Sequence, residues 1–555
     1  MRAWKLLGVA VLFTAASCVQ VLGGDNPYHA GEAAGGGGQA GGGGGASSSS
    51  TGGTGGTSEP CIPGEFRACY SGPAGTEGVG ICKAGYEICG DNGMGWGPCE
   101  GQILPVVEYC SVPEDEDCDG RVACTGAPEA AFTPPGNLVD PMLDGISDVA
   151  VTPDGGYVVA GFVDVLGSSG PGSVYVAKIG PDGAMQWEKR YPCEGLAVAR
   201  GVAVSPAGHV TVVGEFSGMI HFGGSALKGL GSDIFIATID ATGTHIWSKS
   251  FGTVNEESAQ DVDIDAAGNL YVTGSVMNDS VSLGGAATTP DEDDLFVASY
   301  DSAGNHRWSR IFVNQSTQRG RRITVMKNGN VAVAGEAWTS GAIGADLGGG
   351  LLLGGGNYDL VVAVYDGATG AHVWSKLFGS TGNQFPGSIV AAPNGNVLVT
   401  GRFVDTLNFG GGEMTAAGML DGYVAELAGS NGNHVRSMRF GIDGTSQGTG
   451  IAADGAGNVV VTGHFNGSID FGSGTITTSD GPDTFVVKLA AFDWAPLWTR
   501  TFGGTGSQTG WAITVDAKGD TIVGGSFEQQ IVFGAPLGTV TSSGGADIFS
   551  VRLAP

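Results

Sequence analysis

DVAVTPDGGYVVAGF at residues 148–162, GVAVSPAGHVTVVGEF at 201–216 and DVDIDAAGNLYVTGSV at 261–276 are three copies of one pattern. Four more follow: RITVMKNGNVAVAGEA at 322–337, SIVAAPNGNVLVTGRF at 388–403, GIAADGAGNVVVTGHF at 450–465 and AITVDAKGDTIVGGSF at 512–527. In all seven, a turn glycine (Gly155, Gly208, Gly268, Gly329, Gly395, Gly457, Gly519) lies six residues before a second glycine (Gly161, Gly214, Gly274, Gly335, Gly401, Gly463, Gly525). A register held through that many copies is a structural repeat, and it organises most of the chain. Short apolar runs flank the first glycine, as in two strands joined by a tight turn that needs positive φ. The second glycine marks close packing or a bulge within a strand.

The other half of each unit is a second hairpin, for example IFIATIDATGTHIWSKSFG at 234–252 and LVVAVYDGATGAHVWSKLFG at 360–379. Each unit therefore supplies about four short strands, apolar on both faces, which suits a propeller blade sandwiched between neighbours. A solenoid is the structural rival, but it needs polar capping repeats and neither end supplies one. The expected fold is all-β, a seven-bladed β-propeller of four-stranded blades over residues 131–555. The seventh copy ends on a third strand, IFSVRLAP. Ring closure then requires the segment around Ala131 to Met142 to complete the last blade; the alternative is a three-stranded final blade.

Upstream, composition divides the chain further. Arg2 and Lys5 precede an apolar run from Leu6 to Ala16, too short to span a bilayer, so residues 1–17 read as a signal peptide. Small residues before Cys18 resemble a bacterial lipobox, although Ala15 stands where Leu is usual. The expectation is a lipidated Cys18, with ordinary secretion as the alternative. Residues 18–60 include GGGGQAGGGGGASSSSTGGTGGT, which cannot bury a core and reads as a flexible Gly/Ser linker. About 30 residues of that composition reach roughly 30 Å. Residues 61–127 form a Cys-rich module with Cys61, Cys69, Cys82, Cys89, Cys99, Cys110, Cys118 and Cys124. In an exported chain that density argues for disulfides of undetermined pairing, and the absence of a C-x-x-C pair argues against a zinc ribbon.

The order DVAVDxxGNxYVTGxF then DxFVAKYDxxGxxxWSKxFG resembles the bacterial beta-propeller repeat family abbreviated SBBP, over nearly all of residues 144–555. That resemblance implies fold and export rather than an activity. Arg436 departs from it, standing where other copies carry Trp247, Trp308, Trp374 or Trp498. VEYCSVPEDEDCDG, within 61–127, looks like the Cys/Asp metal-binding module that accompanies such repeats, with Cys110, Ser111 and Val112 replacing the usual C-D-G.

Candidate chemistry is sparse. Asp115, Asp117 and Asp119 before Gly120 place alternating carboxylates on one loop, a pattern that suits calcium, although the twelfth position is Gly126 and not the bidentate Glu of an EF-hand. The competing reading is a solvated acidic loop. His245, His306, His372 and His434 occupy one equivalent slot in different repeats, so they sit a blade apart and do not converge as a catalytic triad requires. His209, His221 and His464 are isolated. Ser446 lies in a G-x-S-x-G match between blades, without the strand-to-helix turn of a nucleophile elbow. The series Trp187, Trp247, Trp308, Trp374 and Trp498 reads as packing at blade spacing rather than as a sugar-stacking set, and Cys193 as a buried structural thiol.

With 25 Lys and Arg against 55 Asp and Glu, the net charge of −30 repels nucleic-acid phosphates. The expectation is a non-enzymatic lipoprotein of the cell surface or outer membrane, held to the membrane by its lipid, that binds a protein or polysaccharide through a propeller face or channel. The 337–359 loop is the recognition loop singled out. One alternative is a polysaccharide hydrolase or lyase with acidic residues gathered at the channel, and another is a purely structural surface component.

Overall fold

A computed structural model describes residues 61–555, apart from 74, 107–114, 117, 119–124, 134–141, 167–171 and 479. Cys18, Cys110, Asp117, Asp119 and Cys124 lie outside the described residues. All regular elements among the described residues are strands.

Two compact units are present. The first comprises residues 61–71 and 84–102 of the described chain. Here Phe66–Cys69 pairs antiparallel with Gly85–Ile88, stapled by Cys61–Cys89 and Cys69–Cys99. So small a unit has little core, and its disulfides supply the stability that burial cannot. The second unit comprises 72–83 and 103–555; Cys82–Cys118 lies within it, and so does the propeller.

The propeller has seven four-stranded antiparallel sheets. Blade 1 consists of Met142–Val151, Tyr157–Leu166, Ser173–Ile179 and Met185–Pro192. Blades 2 to 6 begin at Ala197, Ser258, Gln318, Gln384 and Thr445, and keep the same strand order. Blade 7 takes Gln508–Val515, Thr521–Phe527 and Asp547–Leu553 from the end of the chain, and Pro128–Phe132 from before the first repeat as its fourth strand. Closure by an upstream segment is therefore observed. The strand that performs it ends ahead of Met142, which instead opens blade 1.

The hydrophobic core is divided into seven clusters, each combining residues of two successive blades. The last joins Ala512, Ile522 and Ile548 of blade 7 to Ile146, Val149 and Tyr157 of blade 1, so no sheet face is left open. Burial of apolar surface in each seam is the main favourable term holding the ring closed. Successive first strands touch one another, which places them around the axis.

The first glycine of every repeat has positive φ, from +80° to +90°. The second answers a different need. In each blade the first strand skips one residue against the second strand, at Ser147, Arg200, Gln260, Arg321, Gly387, Thr449 and Trp511. This bulge drives a first-strand carbonyl onto the second glycine: a Cβ at Gly463 would lie 1.9 Å from the Gln447 oxygen, and one at Gly401 2.1 Å from that of Phe385.

Seams are also tied by hydrogen bonds from the fourth strands. The Trp187 indole donates to the Ala241 carbonyl of the next blade, Trp308 to Gly367 and Trp374 to Gly429, at 2.8–2.9 Å. Arg436 does the same work with a guanidinium, donating to Ala491 at 2.8 Å and Phe492 at 2.9 Å while lying over the Trp494 ring. The departure from the repeat thus preserves the link between blades.

One feature was not expected. Between the second and third strands, blades 2 and 4 to 7 carry a miniature hairpin such as Met219–Ile220 with Leu227–Lys228, or Ser468–Ile469 with Ile476–Thr477. Phe222, Leu347, Phe409, Phe471 and Phe533 anchor these hairpins in the seams. The 337–359 loop is one of them: Ala337 and Asp359 are themselves strand residues, and Ala345–Asp346 pairs with Leu351–Leu352 between them.

Candidate functional site

Five of the seven bulged residues line a single cavity of about 470 Å3 at one mouth of the channel: Gln260, Arg321, Gly387, Thr449 and Trp511. Arg319, Arg322 and Arg402 complete a group of four arginines there, and Tyr358 and Phe385 supply an aromatic wall. Glu336 is the only carboxylate in the lining.

These cations are not equivalent. Buried Glu336 holds Arg321 at 2.7 Å and Arg319 at 3.6 Å, and Arg319 also pairs with Asp293. Arg402 makes no ion pair within 4 Å among the described residues; its Nη1 donates to the Gln447 side-chain carbonyl, and its guanidinium lies 5.0 Å from the Phe385 ring centre. Burial lowers the Arg402 pKa from its ordinary value, and Arg321 adds to this against the opposing pull of Glu336. The Gln447 amide nitrogen lies 3.0 Å from His464 Nε2, which accepts from it. Burial, and then Arg402, push His464 down to about 4, so the imidazole is neutral at physiological pH. Trp511 packs edge-on to His464 at 5.7 Å and donates to the Ser526 hydroxyl at 3.1 Å, which fixes its half-exposed ring at the rim.

The channel carboxylates are built into the ring. Asp148 accepts from the Val202 amide at 2.8 Å, Asp261 from Ile323 at 2.8 Å and Asp263 from Val325 at 2.7 Å, each bond crossing to the following blade. Burial raises all three pKa values, that of Asp263 to about 6; Arg322 opposes the rise at Asp148 and Asp261.

The residues singled out from sequence are placed as follows. The four repeat histidines, His245, His306, His372 and His434, each set Nε2 3.1 Å from a serine hydroxyl three residues on, and each covers a glycine pair in the connection between the second and third strands of its own blade. Ser446 is buried at the start of the strand Thr445–Ala453, not in a loop, and its hydroxyl accepts from the Gly422 amide. Cys193 is buried and unbridged. Asp115 is buried; its partners in the calcium reading lie outside the described residues. No cluster of three or more His, Cys, Asp or Glu side chains able to hold a metal occurs among the described residues. Sequence reasoning missed the arginine group and Trp511.

No family model matches the chain, and no curated protein matches it. Similar solved structures include the quinohemoprotein alcohol dehydrogenase from Comamonas testosteroni, with 11% identity, 77% of each chain covered and a TM-score of 0.35. BamB from Moraxella catarrhalis has 12% identity, 74% of this chain and 99% of that chain covered, and a TM-score of 0.32. YCF48 bound to D1 peptide has 9% identity, 81% and 97% coverage, and a TM-score of 0.37. Likeness at this level carries no argument about activity.

Proposed function

We propose that the chain is a non-catalytic binding protein of the cell surface, exported, tethered through a lipid on Cys18 and the Gly/Ser linker, and engaging its ligand at the arginine-lined channel mouth. Calcium at Asp115, Asp117 and Asp119 and a protein or polysaccharide partner belong to the same proposal. The observation that carries it is the cavity: a rigid ring turns charged, amide and aromatic groups from several blades into one concavity. The groups a hydrolase or lyase would need, paired carboxylates facing substrate, are in this channel engaged with the backbone amides of the next blade.

The test is biolayer interferometry of the full chain against soluble polysaccharides and peptides, with Trp511→Ala as comparator. Binding to at least one of them that the variant loses, with the length of that ligand unchanged after prolonged incubation, supports the proposal. Shortening of a bound polymer, or binding indifferent to Trp511→Ala throughout, refutes it.

A further inference from the structure

We infer that the ligand of the channel mouth is an acidic saccharide, its carboxylate held by Arg402 and a sugar ring stacked on Trp511; this rests on the mouth being the binding site. Charge comes first. Four of the chain's 25 Lys and Arg share a lining with one carboxylate, although acids outnumber bases 55 to 25 overall. Glu336 and Asp293 already neutralise Arg319 and Arg321. Arg402 is left with a neutral amide and an aromatic face as close partners, a half-buried cation that feels Glu336 only at a distance and shares it with Arg319 and Arg321. A guanidinium so placed presents a planar fork that matches a carboxylate bidentately, and an incoming anion recovers part of the hydration the cation has lost.

The rest of the lining selects what carries that carboxylate. Trp511 is 39% exposed and its ring is fixed at the rim, which offers an apolar platform for the C–H face of a pyranose. The Gln260 side-chain amide offers hydrogen-bonding groups to hydroxyls, one of its N–H groups being taken by Ser258. A cavity of about 470 Å3 is of the size that holds a short oligosaccharide. Outside the mouth, the net charge of −30 repels a polymer charged at every unit. A glycan whose acids are spaced by neutral sugars meets the arginines without that penalty, whereas a polyphosphate, a nucleic acid or a run of acidic residues does not.

Calorimetry at low salt with a tetrasaccharide of alternating glucuronate and N-acetylglucosamine, against the neutral tetrasaccharide of N-acetylglucosamine alone, tests this. The acidic sugar should bind at least about tenfold tighter, and Arg402→Gln should remove that advantage, weakening the acidic sugar far more than the neutral one. Trp511→Ala should weaken both. A thermal melt checks that Arg402→Gln folds; if it does not, Glu336→Gln, which removes the only lining carboxylate, should tighten the acidic sugar roughly threefold and leave the neutral one alone. Equal affinity for the two sugars, an undiminished preference in folded Arg402→Gln, no tightening in Glu336→Gln, or a Gly-Glu repeat peptide binding as tightly as the acidic sugar overturns the inference. Neutral-sugar binding as tight as that of the acidic sugar, and lost in Trp511→Ala, would refute the acidic ligand and leave the binding site standing. Binding of neither sugar overturns this inference, and the broader panel then decides the site itself.

Discussion

Replacing Gly463 by alanine should destabilise blade 6 far more than replacing Gly457, although both glycines recur in every repeat. A Cβ at Gly463 would sit 1.9 Å from the Gln447 carbonyl oxygen and 2.8 Å from the Phe485 ring, where real contacts do not fall below about 3 Å. The first strand must therefore move by about 1 Å, and this is the strand whose bulge at Thr449 shapes the mouth. Overpacking of this kind costs about 3 kcal/mol, the upper part of its usual range, because the obstructing atom is backbone and cannot rotate away. Gly457 has φ +87° and open space around it, its nearest neighbour being the Ala491 methyl at 3.5 Å, so alanine there meets only the left-handed penalty of about 1 kcal/mol. Urea midpoints followed by tryptophan fluorescence measure the difference. Gly463→Ala should also lose sugar binding, since Gln447 orients Arg402, and Gly457→Ala should retain it. Equal midpoint shifts for the two variants would refute the assignment of the second glycine to the bulge.

Trp374→Phe removes the indole bond to Gly429 and should cost about 1–2 kcal/mol by chemical denaturation. Arg436→Ala should cost more, about 3 kcal/mol, because it also removes the ion pair of the Glu426 carboxylate, which is 3% exposed and is left with only the Asn394 and Asn396 amides on its other oxygen. Buried Asp294 and Asp359 and half-buried Asp483 have pKa values raised to about 7, 6 and 6, in each case by desolvation first. The folded state therefore holds these protons more tightly than the unfolded chain, whose carboxylates titrate near about 4. Their stabilising contribution is full below that value and is lost as pH rises through 6 to 7. His464, lowered to about 4, acts oppositely between there and its unfolded value of about 6.5. With the carboxyls in the majority, the thermal midpoint should be higher at pH 5 than at pH 8 by calorimetry. Reduction should release the unit closed by Cys61–Cys89 and Cys69–Cys99, whose separations of 28 and 30 residues correspond to about 3–4 kcal/mol each in the chain-entropy account. The blades contain only the unbridged Cys193, so the propeller transition should be unchanged by dithiothreitol in the same scan.

Much of the scaffold was legible because it repeats. The spacing of Gly155 to Gly161 and its six counterparts carried both the turn and the bulge, and the unpaired last strand implied closure from upstream. The miniature hairpins were not legible, since strands of two residues such as Thr406–Leu407 are too short to show alternation. Their trace is the recurring apolar-Gly pair, as at Phe222-Gly223 and Phe409-Gly410. Disulfide pairing also required coordinates, because chain order alone leaves the partners open. The mouth escaped for a different reason: Arg319, Arg402 and Trp511 come from three blades and belong to no motif. A signal was present in the column just before Asp148, Gly201, Asp261, Arg322, Ser388, Gly450 and Ala512, where the repeats stop agreeing.

That column explains how a symmetric ring acquires a directional site. A bulge at the same point of every first strand places seven residues at equivalent positions around one axis, and the close approach at the second glycine locks that geometry whatever the bulged residue is. The bulge thus places few demands on the identity of its residue, even where, as at Thr449, the side chain also bonds to the next blade. Ser147, Arg200, Gln260, Arg321, Gly387, Thr449 and Trp511 put six different residue types into one geometric slot. Arg200 is neutralised by Glu215 at 2.6 Å, whereas the arc from Arg321 to Trp511 surrounds an Arg402 that no carboxylate satisfies. Specificity in such a ring is written where the repeat is allowed to break. Replacing a bulged residue such as Trp511 would leave its blade intact and change what the mouth offers a ligand, whereas altering Gly463 would dismantle the slot itself.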